Sequence, residues 1–365
     1  MVSSGRLDYW LLFAVLTLLT IGVVMVYSAS GFMAQTKYND QLLFFKKQLV
    51  WLVVALPFFI LATKLNYQIY RKLALPALVF GFILLGVVLF LPATKGVHRW
   101  IRLGPLGIQA SEVFKYALIL FLADSLSRKL EKIRKFKHLL FPYLVILVLL
   151  LALILLEPDL GSAMLISSIF LTILFVAKAH LLHLASFLLP GLAGFSLLVF
   201  GLGYEKDRIV DYLNGLENPL KGSYHLSQSV ISLGNGGFHG VGLGEGRQKF
   251  LFLPEPHTDF IFATIGEEGG FVWLAAILLL FMVIAWRGIT IATAAPDYFG
   301  FLLASGISLA IFSSALLNIG VVTGMLPTTG IPLPFLSYGG SSLFLSLAAA
   351  GIVLNISKAK KSDWE

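Results

Sequence analysis

Ten long apolar runs follow one another along the chain, each bounded by charged residues, Pro or Gly. They predict helices from Tyr9 to Ser28, Gln48 to Thr63, Leu73 to Leu91, Ser111 to Ser125 and Leu139 to Leu156. Five more run from Gly161 to Ala177, Leu184 to Gly203, Phe260 to Trp286, Phe299 to Val322 and Ser341 to Ile356. A helix crossing lipid needs roughly 20 mostly apolar residues, and only helices let an open chain satisfy its backbone groups there. The pattern therefore predicts an all-α polytopic membrane protein of about ten spans, a single transmembrane domain over 1–365. The first run is long for a signal-peptide core, lacks a convincing cleavage site and follows Arg6, so a retained helix is expected. The longest polar stretch, 204–258, is expected to be a long outer loop between the seventh and eighth helices.

Composition agrees: 58% of residues are apolar and 13% charged, too little polar surface for a water-soluble fold of 365 residues. The net charge of +8 sits in short clusters between apolar runs, which marks it as a topology signal and excludes nucleic acid as a partner. With the N-terminus inside, the inner segments carry 15 Lys and Arg against 6 in the short outer loops, predicting two cytoplasmic termini. The absence of Cys removes thiolate chemistry and disulfides.

Polar residues out of place come next. Of the 19 carboxylates, Glu112, Glu157, Asp159, Asp259, Glu267 and Glu268 fall at the predicted outer helix ends. Ionisable groups at membrane depth are costly unless paired or facing water, which makes each a candidate site. For Asp159, after Pro158 at a helix start, capping competes with chemistry. Glu112 and Lys115, spaced i and i+3, can neutralise one another. The stretch from Gly104 to Glu112 reads as an amphipathic turn into a Ser-capped helix. Asp259 stands at the mouth of the eighth helix, where the helix dipole favours a charged carboxylate available as a base. Glu255, His257 and Asp259 match no common zinc spacing, so no metal site is expected. The glycines at 234, 236, 237, 240, 242, 244 and 246 suit tight turns against a ligand. No βαβ unit surrounds them, so a dinucleotide site is not indicated. The Pro-rich segment from Leu326 to Ser342, including Ser337, is expected to line a cavity.

These residues resemble the SEDS family, the shape, elongation, division and sporulation glycosyltransferases of bacteria. The matching pieces are Val26 to Ser30, Gln109 to Glu112, Glu157 to Ser162, Leu233 to Gly244, Leu253 to Phe262, Gly266 to Glu268, and Asn318 to Ser342. The likeness spans the whole chain. Pro256 before His257, with the Gly-rich loop and Gln248-Lys249, is similar to the FtsW and SpoVE branch rather than RodA. The resemblance implies a ten-helix SEDS fold in the bacterial cytoplasmic (inner) membrane. The implied activity is polymerisation of lipid II on the extracytoplasmic side, for cell division or cell shape. It implies Asp259 as the essential aspartate and Glu112, Lys115 and Asp159 as polar positions bordering a central cavity. Implied partners are lipid II, the undecaprenyl-diphosphate-linked strand, a class B penicillin-binding protein and other divisome or elongasome membrane proteins. Departures from the family pattern are Ala110 for Pro, His225 for Gln and Gly269 for Leu.

The expected chemistry has Asp259 accept the proton of a sugar 4-hydroxyl as that oxygen displaces undecaprenyl diphosphate from the opposite face. Positive charge for the leaving group is expected from Arg102, Lys115, Arg247 or Lys249, with His257 and Ser337 as further substrate contacts. No tightly bound cofactor is expected; Mg2+ or another divalent cation bridging the diphosphate is a further source of charge. The rival readings are a lipid II flippase, which should carry its site near the midplane, and a scaffold of a division complex.

Overall fold

The computed structural model describes residues 6–92, 97–103, 106–129, 136–217, 223–250 and 252–359. Lys95, Lys132, Arg134, Lys135, Lys360 and Lys361, counted above for topology, Lys221 of the long polar stretch, and Gly104-Pro105 of the expected turn lie outside them.

Each apolar run forms a helix. Five come first: α1 (Tyr9–Tyr38), α2 (Leu43–Lys64), α3 (Gln68–Val88), α4 (Ala110–Ser127) and α5 (Phe136–Leu156). After α6 (Leu160–Val176) and α7 (Leu181–Ser196), two helices fall within the long loop, α8 (Lys206–Glu217) and α9 (Tyr224–Gly236). The chain closes with α10 (Ile261–Thr293), α11 (Tyr298–Val322) and α12 (Gly340–Lys358). Among the described residues, α1, α2, α3, α10, α11, α12 and α7 with its π-helical extension to Gly201 are long and apolar enough to cross a membrane. The stretch Pro142–Leu156 of α5 and the short α6 are also apolar, and α4 is more polar because it carries Glu112, Lys115 and Asp124. With these three, ten spans result, as the hydropathy pattern predicts.

Two local expectations change. The segment before α4 is a β-hairpin, β1 (Trp100–Leu103) pairing antiparallel with β2 (Leu106–Gln109), Trp100 opposite Gln109. Ser111 does not cap α4: Gln109 holds the cap position without a side-chain bond, and Ser111 Oγ meets Ser162 Oγ at 3.2 Å. The long polar stretch contains two helices rather than turns alone. The Ser-bearing face of α9 (Ser229, Ser232) is buried, Ser229 Oγ donating to Val322 O and Ser232 Oγ to Ala263 O.

Helix α11 packs on α4, α6 and α10, and α12 packs on α2. Small residues allow the close approach that drives association in lipid: a Cβ on Gly288 would lie 1.9 Å from Ser308 Oγ. Helix α7 is peripheral, with Leu182, Leu189 and Leu197 exposed on the face a bilayer would cover. At one end of the bundle Asp8 caps α1, pairs with Arg287 and bonds Ser357 Oγ through its backbone N–H, so the start of α1 and the end of α12 meet there. The polar turns carrying Asp159 and Asp259 lie at the opposite end.

Candidate active site

Helix α10 breaks at Gly270, whose φ of 67° no side chain adopts cheaply. Its first nine residues form a short leading segment, and Asp259 stands just before them. Backbone bonds fix this approach to the Pro-rich segment. Asn318 Nδ2 donates to Asp259 O and to Ile331 O, both at 2.8 Å. Ser337 Oγ donates to Thr258 O at 2.7 Å and accepts from Leu333 N at 2.8 Å, while Tyr338 N donates to His257 O. The same segment rests on glycines: Cβ atoms on Gly22 and Gly161 would each fall 2.3 Å from a carbonyl oxygen, of Phe335 and Thr329 respectively. Gly330, at φ 74°, leaves open the space beside the Asp259 carboxylate; a Cβ there would sit 3.7 Å from Oδ2.

Asp259 lines a cavity of about 310 Å³ together with Arg99, Arg208, His225, Asn318 and Thr329. Two guanidinium groups therefore share one chamber with the carboxylate. Arg208 is paired with Glu205 at 2.8 Å. Arg99 Nε donates to Glu157 O at 3.2 Å and lies 3.7 Å from Asp159 Oδ2, while its buried Nη2 meets no acceptor. The His225 ring stacks on Phe260, centroids 5.9 Å apart. Burial lowers the His225 pKa and Arg208 lowers it further, against the opposing pull of Glu255. Such a chamber can bind an anion, accept a proton and hold an uncharged polar ring.

The other sequence candidates sit elsewhere. Asp159 caps α6, accepting from Ser162 N at 3.0 Å and Ser162 Oγ at 2.8 Å, and touches the chamber only through Arg99. Lys115 is committed to Glu112 at 2.8 Å, both buried. Lys249 is committed to Glu268 at 2.7 Å, with Ser28 Oγ and Gly244 O as further partners. Arg247 is exposed; its backbone N–H, with that of Gln248, serves Glu267. Arg102 is exposed on the hairpin. His257 is buried with its ring against Phe44 and Tyr338. Ser337 is a backbone clamp rather than part of the lining. None of the four expected cations lines the Asp259 chamber: two are spent on buried carboxylates, which at this depth must be compensated. Lys249 does line a second, largely apolar cleft of about 530 Å³ beside α1.

Arg99, Arg208 and Asn318 were not singled out from sequence. Only Asn318, a lone amide in an apolar run, left a signal. The two arginines are distinguished by folding alone, since neither differs in sequence context from its basic neighbours.

Residues 9–362 match the family model of FtsW, RodA and SpoVE, described as cell cycle protein. The chain is 43% identical to the stage V sporulation protein E of Bacillus subtilis over 355 residues, 96% of this chain and 97% of the relative. It is 41% identical over 360 residues to a probable peptidoglycan glycosyltransferase FtsW of Geobacter metallireducens, 98% and 96% of the two chains. Among solved structures it resembles the rod shape determining protein RodA of Thermus thermophilus. There the TM-score is 0.72 at 29% identity, over 96% of this chain and 97% of that one. It also resembles a chain from a structure described as structural coordination of polymerization and crosslinking by a peptidoglycan synthase complex. That match has a TM-score of 0.78 at 27% identity, over 96% and 98% of the chains. This chain belongs to the FtsW, RodA and SpoVE family of cell cycle proteins.

Proposed function

We propose that the protein is a peptidoglycan glycosyltransferase that polymerises lipid II into glycan strands and releases undecaprenyl diphosphate. The observation that carries this reading is the single carboxylate of Asp259 sharing a chamber with Arg99 and Arg208. The acceptor 4-hydroxyl attacks the anomeric carbon of the lipid-linked strand from the face opposite the diphosphate. A C–O bond forms, the C–O bond to the diphosphate breaks, and the proton passes to Asp259. The leaving diphosphate takes the electron pair. Its charge is met by Arg99 and Arg208, because fixed cations where charge develops are worth more than in water.

Among the described residues no three His, Asp or Glu side chains converge as a metal site. Were Mg2+ to bind at this chamber, Asp259 would be the residue able to hold it, and the ion would supply positive charge to the diphosphate; no step is assigned to it.

The bias of Lys and Arg toward the end that holds Asp8 and Ser357 supports cytoplasmic termini and an extracytoplasmic chamber. The FtsW and SpoVE relatives favour a role in division or sporulation. The likeness to a synthase complex that couples polymerisation to crosslinking supports a transpeptidase partner, of the class B penicillin-binding type, and other divisome or elongasome membrane proteins. A chamber at the helix ends supports polymerisation over transport, which calls for a site near the midplane.

The test is polymerisation of labelled lipid II by purified protein, with and without the transpeptidase. Asp259→Asn keeps size and removes basicity. Loss of strands by roughly 100-fold or more is expected; undiminished polymerisation by this variant would refute the role.

A further inference from the structure

Glu157 lies in the turn between α5 and α6. It is fully buried, and neither carboxyl oxygen meets a hydrogen-bond donor. An ionised carboxylate left so is costly. Among the described residues, the charged groups that act on it come from two elements. Arg99, before the hairpin, binds Glu157 only through its backbone carbonyl. Asp159, at the start of α6, already accepts from Ser162 and from Gln109 Nε2 at 3.4 Å. Burial first, then the charge of Asp159, pushes the Glu157 carboxyl up to about 8, against the pull of Arg99.

The charge count decides the consequence. With Glu157 protonated, Arg99 faces one anion, Asp159, at 3.7 Å, and its Nη2 remains uncommitted. With Glu157 ionised, two carboxylates compete for one guanidinium. We propose that Glu157 is a positioning residue for the diphosphate. Held protonated, it leaves Arg99 available to the chamber; ionised, it captures Arg99 through Nη2 and withdraws it. This rests on the function proposed above.

The experiment compares lipid II polymerisation by wild type and Glu157→Gln between about pH 7 and about pH 9. Wild-type kcat/KM should fall about tenfold across that range, through KM rather than kcat, because bound diphosphate holds Arg99 in the chamber and so keeps Glu157 protonated once substrate is on. The Gln variant, which cannot ionise, should show no such rise in KM. Equal alkaline losses in both proteins overturn the inference while leaving the polymerase reading intact. No polymer from wild type at any pH overturns that reading instead. If the Gln variant does not fold, the wild-type infrared carbonyl band of a buried protonated carboxyl decides. Its presence in neutral buffer and loss on alkalinisation uphold the inference, and its absence in neutral buffer overturns it.

Discussion

The side-chain amide of Asn318 holds the backbone carbonyl of Asp259 at 2.8 Å and, with its second hydrogen, that of Ile331 at the same distance. One residue of α11 thus sets the separation between the carboxylate-bearing turn and the Pro-rich segment that faces it. Asn318→Ala leaves two carbonyls without their donor, at about 1–3 kcal/mol for each that stays buried. Thermal unfolding in detergent should report that loss. Polymerisation should fall further than unfolding accounts for, since misplacing the base affects the transition state directly.

Gly330 and Gly203 share a φ of 74° but not surroundings: the first faces Asp259 Oδ2, and nothing lies within 4 Å of a Cβ on the second. Alanine at either site carries the left-handed cost of about 1–2 kcal/mol. Gly330→Ala should also lower kcat/KM by roughly tenfold by occupying the approach to the carboxylate. Gly203→Ala should match it in stability and leave turnover unchanged.

Lys249 and Glu268 form a buried pair that ties the Gly-rich loop to the leading segment of α10. Lys249→Met strands the Glu268 charge, for which about 3–5 kcal/mol of destabilisation is expected. Adding Glu268→Gln should recover part of it. A double-mutant cycle in unfolding free energy measures the coupling, and a value near zero would assign these residues no structural role.

His225 gives a pH dependence of opposite hand to Glu157. Its folded pKa lies below the ordinary histidine value of 6.5, chiefly through burial. The stability this contributes is present above about 6.5 and is lost as pH falls through that value toward the folded one. Wild type should therefore lose stability between neutral and mildly acid buffer, and His225→Gln should show a shallower slope over the same range.

Much of this architecture is legible in sequence because lipid imposes a simple code. A run such as Phe299 to Val322 has to be a helix, and its limits follow from where polarity returns. Asp259 is legible for the same reason, as a carboxylate placed where the apolar run begins. The partners of Asp259 are not legible. Lys115 and Arg99 look alike as basic residues near an outer helix end; what separates them is that Glu112 lies one turn from Lys115 and occupies it. Lys249 is spoken for by Glu268, a pairing across 19 residues that only the kink at Gly270 and the loop folded on it bring about. Helix α9 escapes notice because Leu226 is the one aliphatic side chain it buries, beside Ser227, Ser229 and Ser232.

The meeting of Asp8, Arg287 and Ser357 closes α1, α10 and α12 on one another at the end of the bundle away from Asp259. A substitution there that impairs the protein therefore acts through the packing of these helices rather than by crowding the chamber.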